Sequence, residues 1–267
     1  MKYFFLFLLG SAWGSFLNVL IFRYKPNKKF NFFKVISGRS YCPYCKRKLL
    51  KRDLIPIISF LVLKGKCRFC QRQISWIYPV VEILSGILAI LIFLKTSPSV
   101  FLFLLWFLAF SHFLVLSFID LKYLFVPNQL LNSLLLVSIV LVIFFQFPGH
   151  YFWKAFPQFN WRILNHLVGG IIFGLPMWIF CVRTKEEFLG LGDAKAMAIS
   201  CFLFGWPKSI LVFNLSFLIG GVFSLFLMVF FKKGLKLKIP FFPFLALANF
   251  LVFFWEAEIV KLYLSFF

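Results

Sequence analysis

Long apolar runs alternate with short polar stretches along most of the chain. They cover residues 3–22, 74–94, 99–119, 129–147, 163–182, 194–206, 209–231 and 241–265. About 20 residues of helix are needed to cross the hydrocarbon core of a bilayer, and most of these runs approach that length. Lipid offers no partners to backbone N–H and C=O groups, so the runs predict helices rather than open strands. Gly10, Ser11, Gly14 and Ser15 lie on one run and predict a helix packed closely on another. That first run is too long and too weakly positive at its start for a typical cleaved signal peptide. The 194–206 run has only 13 residues; it predicts a short helix that begins within 189–193 or is partly shielded by protein. Residues 23–73 break the pattern, being polar, basic and rich in cysteine. The expected organisation is a first transmembrane helix at 1–22, a basic segment at 23–73 and a transmembrane core at 74–267. No internal repeat or low-complexity tail is apparent.

Composition narrows the class. Hydrophobic residues make up 62% of the 267 and charged ones 14%, against about 45–50% and about 25% in soluble domains. One soluble core of this size cannot bury that excess, so the chain reads as an all-α polytopic membrane protein of about eight transmembrane helices. The net charge of +21 would suggest nucleic acid in a soluble protein. Its distribution argues against that, because residues 23–72 hold 15 of the 29 Lys and Arg, with Asp53 as their one acid. A basic face beside anionic lipid fits better. If all eight runs cross and the Cys-rich segment is cytoplasmic, 23 of the 29 cations fall on that side. If 194–206 did not cross, the Lys-rich 232–238 loop would fall outside. The positive-inside bias therefore favours eight crossings with both termini outside. In that arrangement Asp120 and Asp193 come to the same membrane depth.

Cys42-Pro-Tyr-Cys45 and Cys67-Arg-Phe-Cys70 supply four thiolates at a spacing that suits a structural Zn²⁺. Two disulfides are the competing reading and need an oxidising compartment. Cys181 and Cys201 lie in apolar runs and read as packing residues.

The chain has three Asp. Asp53 reads as a solvated or ion-paired residue of the basic loop. A carboxylate next to hydrocarbon is costly and suggests function, and Asp120 and Asp193 make a pair of them. Two close carboxyls share a proton; one then takes a proton from water while the other donates to a scissile carbonyl. Gly190 and Gly192 leave backbone free beside Asp193. The competing reading makes both ordinary boundary residues, Asp193 at a helix N-terminus and Asp120 beside Lys122. Glu82, inside the second run, should face protein or water, either supporting the site or pairing with a lysine. Lys195 either pairs locally or reaches the interface. Asn18 and Asn165 read as interhelical hydrogen-bonders. His112, His150 and His166 form no metal-like set.

In order along nearly the whole chain, these features resemble the type IV prepilin peptidase family of bacterial membrane aspartyl proteases. Gly14 through Arg23 is similar to the family's N-terminal GSFLNVVIYR-type motif, and the two CxxC pairs to its cytoplasmic zinc segment. Tyr78-Pro79-Val80-Val81-Glu82 is similar to its YPLVE-type motif. Asp120 with Val126-Pro127-Asn128 matches the first catalytic aspartate motif, and Glu187 through Lys195 the second. Ile239 through Ala248 resembles a late IPFGPFLALG-type segment, with Phe242 and Ala248 where the family usually has Gly. Ala196-Met197 stands where Leu-Leu is usual.

The resemblance implies cleavage, on the cytoplasmic side of the bacterial inner membrane, of the basic leader of prepilins or pseudopilins. It implies Asp120 and Asp193 as catalytic, Zn²⁺ on Cys42, Cys45, Cys67 and Cys70, and N-methylation from S-adenosylmethionine. Gly190, Gly192, Lys195 and Glu82 are expected to support the site. No cofactor motif for a methyl donor is visible, and the pattern assigns no oligomeric state. A presenilin or signal-peptide-peptidase type of protease is the nearest alternative. There the first aspartate usually follows Tyr, whereas Asp120 follows Ile119, and CxxC pairs are foreign to it. A non-enzymatic membrane scaffold with a zinc-bound loop is the alternative from another class.

Overall fold

The computed structural model describes residues 1–26, 35, 38–144, 162–231 and 238–265. His150, Lys154 and residues 232–237 of the Lys-rich loop lie outside the described residues. Every apolar run carries a helix. These are α1 (Lys2–Arg23), α3 (Ile77–Thr96), α4 (Val100–Tyr123), α5 (Asn128–Phe144), α6 (Arg162–Arg183), α7 (Leu191–Phe204), α8 (Ser209–Phe231) and α9 (Phe242–Leu264). A 3-10 turn (Lys51–Leu54) and the short helix α2 (Ile58–Val62) lie within the basic segment. Among the described residues, α1, α3, α4, α6, α8 and α9 are long and apolar enough to cross a membrane. The 17-residue α5 is apolar but shorter. The 14-residue α7 starts at Leu191, inside the stretch from which a short helix was expected to begin.

The chain forms two compact units, Met1–Phe107 and Leu108–Phe267. In the first, α1 packs along α3 through small residues. A Cβ on Gly14 would stand 2.8 Å from Glu82 Cα and 3.0 Å from the Val81 carbonyl oxygen, so only glycine permits that approach. Asn18 Nδ2 donates to the Tyr78 carbonyl at 3.1 Å, and Phe22 stacks on Tyr78 at 4.1 Å between ring centres. The interhelical role expected of Asn18 is borne out.

In the second unit, polar side chains tie helix to helix. His112 Nε2 and Ser133 Oγ lie 2.9 Å apart, linking α4 to α5. Asn249 Nδ2 of α9 donates to Ser200 Oγ of α7 at 3.1 Å, and His166 Nδ1 of α6 lies 2.6 Å from the Phe202 carbonyl of α7. Phe110 gathers Phe250, Phe253 and Phe254 around it. Leu218, Val222, Leu225 and Val229 form an exposed stripe at helical spacing on α8, which is what a lipid-facing surface requires.

Candidate active site and metal centre

The metal centre is built by local backbone geometry. All four Sγ atoms of Cys42, Cys45, Cys67 and Cys70 lie within 4.8 Å of one another. Cys42 Sγ and Cys70 Sγ are 3.8 Å apart. A tetrahedral Zn²⁺ with Zn–S bonds of about 2.3 Å needs sulfur atoms about 3.8 Å apart. The cluster therefore fits a metal ion of that size. All six cysteines are free thiols, so the disulfide reading is not what the fold adopts.

The two cysteine pairs are near copies. Cys42 N–H donates to the Arg47 carbonyl at 3.0 Å, and Cys67 N–H to that of Arg72 at 2.8 Å. Lys46 and Gln71, each next after the second cysteine of its pair, take left-handed φ of 60° and 57°. Single antiparallel bridges close both, Tyr41 with Lys48 and Lys66 with Gln73. Arg47 lies over the Phe69 ring at 5.4 Å and Arg72 over the Tyr44 ring at 4.9 Å, so each hairpin clasps the other's aromatic residue. This corrects the expectation of no internal repeat: Tyr-Cys-Pro-Tyr-Cys-Lys-Arg-Lys-Leu and Lys-Cys-Arg-Phe-Cys-Gln-Arg-Gln-Ile recur at an offset of 25 residues.

Crowding the thiols splits their acidity. Burial opposes ionisation of Cys67, but N–H donors from Cys70 and Phe69 and the neighbouring thiols bring it down to about 7. For Cys70 the Arg72 N–H pulls the other way, yet desolvation and the surrounding sulfurs push it up to about 11. Asp53 is ion-paired, one of its two expected states. Arg68 Nη2 sits 2.6 Å from its Oδ1 and holds the carboxyl below the usual carboxylate range.

Both aspartates lie in the second unit. Asp120 occupies the last turn of α4 and is buried, 4% exposed. The chain then turns at Leu124, with φ of 49°, and Val126 and Pro127 are buried before α5 begins at Asn128. Asp193 is the third residue of α7. The charge of Asp120 acts on Asp193. Two contacts join their segments. A Cβ on Gly192 would come within 3.0 Å of Val126 Cβ, so glycine permits the first turn of α7 to press on the turn after Asp120. Lys195 Nζ donates to Asn128 Oδ1 at 3.0 Å, so Lys195 ties α7 to the start of α5.

The two carboxyls differ in their partners. Asp120 Oδ2 accepts the N–H of Phe242, the first residue of α9, at 3.0 Å. Asp193 Oδ1 is buried with no hydrogen-bond partner. Gly190 lies beside the other oxygen: a Cβ there would be 3.6 Å from Asp193 Oδ2 and meets little else. Glu186 Oε2 accepts the Leu191 N–H at 3.2 Å at the start of α7. Sequence reasoning missed the Phe242 donor and the roles of Asn128 and Glu186. The Phe242 side chain, fully buried, packs on Phe113 of α4 at 6.0 Å between ring centres. Glu82 belongs to the first unit, where its Oε2 accepts the N–H of Ile57 at 2.7 Å rather than pairing with a lysine.

The fold and these clusters define a class: an α-helical polytopic membrane protein with a four-thiol centre able to hold a metal and two aspartates on its helices. Residues 8–96 match the bacterial peptidase A24 N-terminal domain, and residues 102–225 match the type IV leader peptidase family. The chain is 30% identical to a prepilin leader peptidase/N-methyltransferase of Aeromonas salmonicida, over 97% of this chain and 92% of that one. It is 30% identical to a protein of the same name from Dichelobacter nodosus, over 97% and 94%. A Pseudomonas aeruginosa relative of that name is 28% identical over 97% and 92%. No solved structure matches. The chain belongs to the type IV leader peptidase family, a family of membrane-embedded enzymes.

Proposed function

We propose that this enzyme is an aspartyl endopeptidase that removes the leader of prepilins or pseudopilins with Asp120 and Asp193 as its catalytic pair. The observation that carries the reading is that Asp193, 73 residues on from Asp120 in sequence, lies within the field of Asp120, and that the two have unequal partners. Asp120 has one oxygen held by a helix N-terminal N–H, an arrangement suited to carboxylate. Asp193 has a buried oxygen with no partner, suited to carrying the shared proton. Asp120 then takes a proton from the attacking water while Asp193 gives its proton to the scissile carbonyl oxygen. The water oxygen bonds to the carbonyl carbon, and the tetrahedral species collapses with proton return to the leaving amine. Gly190 leaves room for substrate backbone next to Asp193, and Gly192 and Lys195 keep the two acid-bearing segments together.

Zn²⁺ on Cys42, Cys45, Cys67 and Cys70 is the metal this reading assigns. Four thiolates fill a tetrahedral sphere, so the ion would be structural and hold the two hairpins as one body. Methylation of the new N-terminus is the second activity, in keeping with the relatives' names. S-adenosylmethionine needs partners for an ammonium, a carboxylate and a ribose. The cavity of about 430 Å³ walled by Ile172, Phe173, Pro176, Met177, Phe213 and Phe217 offers apolar side chains instead. The charge distribution supports a bacterial inner-membrane location with residues 23–73 and both aspartates on the cytoplasmic side. It also supports a functional division into a first helix at 1–22, that segment, and a core at 74–267.

The test is cleavage of a prepilin with a basic leader by the enzyme in membranes, with mass spectrometry of the product. Wild type should cut, and well-inserted Asp120→Asn and Asp193→Asn should not. Retained cleavage by either variant removes that residue from the pair.

A further inference from the structure

Residues 54–63, between the two cysteine pairs, carry no charge in a segment otherwise dense with it: Leu-Ile-Pro-Ile-Ile-Ser-Phe-Leu-Val-Leu. The fold holds this stretch against the side of a membrane helix. Glu82 lies five residues into α3, roughly 7 Å along the helix axis. Its Oε2 accepts the Ile57 N–H at 2.7 Å. Ile57 has φ of 61°, an outlier for a β-branched residue, and the buried Glu82 carboxyl accepts its N–H in that conformation. The chain thus dips alongside the first turns of α3 before α2 begins. On one side of α2, Phe60 is buried and meets Trp76 at 4.8 Å between ring centres. On the other, Leu61 and Val62 are 67% and 70% exposed, with Ile58, Leu54 and Ile55 exposed beside them. Exposed Lys51, Arg52 and Lys64 stand at the two ends of the stretch.

We propose that residues 54–63 insert into the headgroup–acyl boundary of an anionic bilayer, and that Lys51, Arg52 and Lys64 bind its lipid phosphates. Two observations choose lipid as the occupant. The patch continues the exposed apolar surface of α3 and Trp76, which faces lipid if α3 spans. The flanking charge is basic, and the acid inside it, Asp53, is engaged by Arg68. An apolar face with cations at its borders is the chemistry of interfacial insertion. The insertion would fix the metal-binding hairpins against the membrane surface from their own side, independently of α1 and α3.

The test places a benzophenone amino acid at Leu61, at Val62 and, as a control, at Tyr44, in the full chain in nanodiscs of phosphatidylglycerol and phosphatidylcholine. Irradiation followed by intact mass should give lipid adducts at positions 61 and 62 at least several-fold above position 44. The adducts should favour phosphatidylglycerol by about fivefold over its bulk share, the factor equivalent to roughly 1 kcal/mol for one interfacial cation. Lys51→Gln, Arg52→Gln and Lys64→Gln together should return the adducts to the bulk lipid ratio. Equal labelling at all three positions, cross-links to a second copy of the chain in place of lipid, or wild-type adducts at the bulk ratio each overturn the proposal.

Discussion

Replacing Phe242 by Pro should impair cleavage although the side chain at 242 touches no reacting group. The Phe242 N–H is the donor that holds Asp120 Oδ2 at 3.0 Å in a buried position. As the first residue of α9 its N–H has no acceptor within the helix, so Asp120 satisfies it and is satisfied by it. Proline lacks that proton but suits the first helical position, so the helix should still start there. A hydrogen bond to a charged group contributes about 1.5–3 kcal/mol. The bond exists before substrate binds and biases the shared proton away from Asp120. If its loss lets that proton move to Asp120, the fraction of competent enzyme, and with it kcat/KM, falls by up to about 10- to 150-fold, at 1.36 kcal/mol per factor of ten. Phe242 also packs on Phe113, so the control is Phe242→Leu. That variant keeps the N–H and costs about 1 kcal/mol of packing. Both would be assayed in nanodiscs on a peptide with a basic leader at substrate concentrations far below KM, after thermal melts show that each is folded. A folded Phe242→Pro enzyme within threefold of Phe242→Leu would refute the reasoning, because the N–H would then contribute nothing to the reaction.

Other expectations follow from the same geometry. Gly192→Val should cut activity far more than Gly190→Ala, since a Cβ at 192 meets Val126 at 3.0 Å while one at 190 meets mainly an Asp193 oxygen at 3.6 Å; equal losses in peptide cleavage would contradict this. Cys67→Ser should remove bound zinc, measured by elemental analysis of the purified protein; full zinc occupancy would exclude Cys67 as a ligand. In the wild type, zinc retention should fall as pH is lowered from about 8 to about 5, because protons compete for thiolates; retention that does not change over that range would count against a thiolate site. Asp53→Asn should lower stability by about 1 kcal/mol at neutral pH. The folded carboxyl lies below its ordinary range through Arg68, so its contribution is present above about pH 4 and is lost as pH falls through the folded value. Melts of the two proteins should therefore draw together as pH is lowered below about 4, and a constant gap would count against the ion pair.

The hydrophobic pattern made the helices legible because each apolar run must close its own backbone hydrogen bonds in lipid. It placed their ends less well. The run at 74–94 became Ile77–Thr96, because apolar residues also fill the turn that leads into a span. The four cysteines were legible from spacing, but their repeat was not, since its shared positions are conservative pairs such as Tyr44 with Phe69 and Leu49 with Ile74. Asp120 and Asp193 stood out because an acid beside hydrocarbon is costly. Phe242 gave no signal, since its contribution is a backbone proton 122 residues from its acceptor. The one hint lay in the prolines, Pro240 and Pro243, that bracket the start of α9.

That failure has a common physical cause. The chain has 29 cations and eight acids, so ion pairing is the obvious fate for every acid. Among the described residues, Asp53 pairs with Arg68 and Glu256 with Lys208. Yet Asp120, Glu82, Glu186 and Asp53 all accept a backbone N–H where a helix or helical turn begins, from Phe242, Ile57, Leu191 and Leu50. The first N–H groups of a helix need an acceptor and carry partial positive charge, and at the buried Phe242–Asp120 bond water cannot serve. A scarce acid at such a point fixes a helix end to a neighbouring segment at a cost no lysine side chain can relieve. The same logic separates placement from chemistry. Glu82→Gln and Glu186→Gln retain a carbonyl oxygen for the N–H and so retain most of the placement. Asp120→Asn retains that oxygen too, so loss of cleavage in a protein whose α9 is still correctly seated would be a loss of the proton-accepting charge itself.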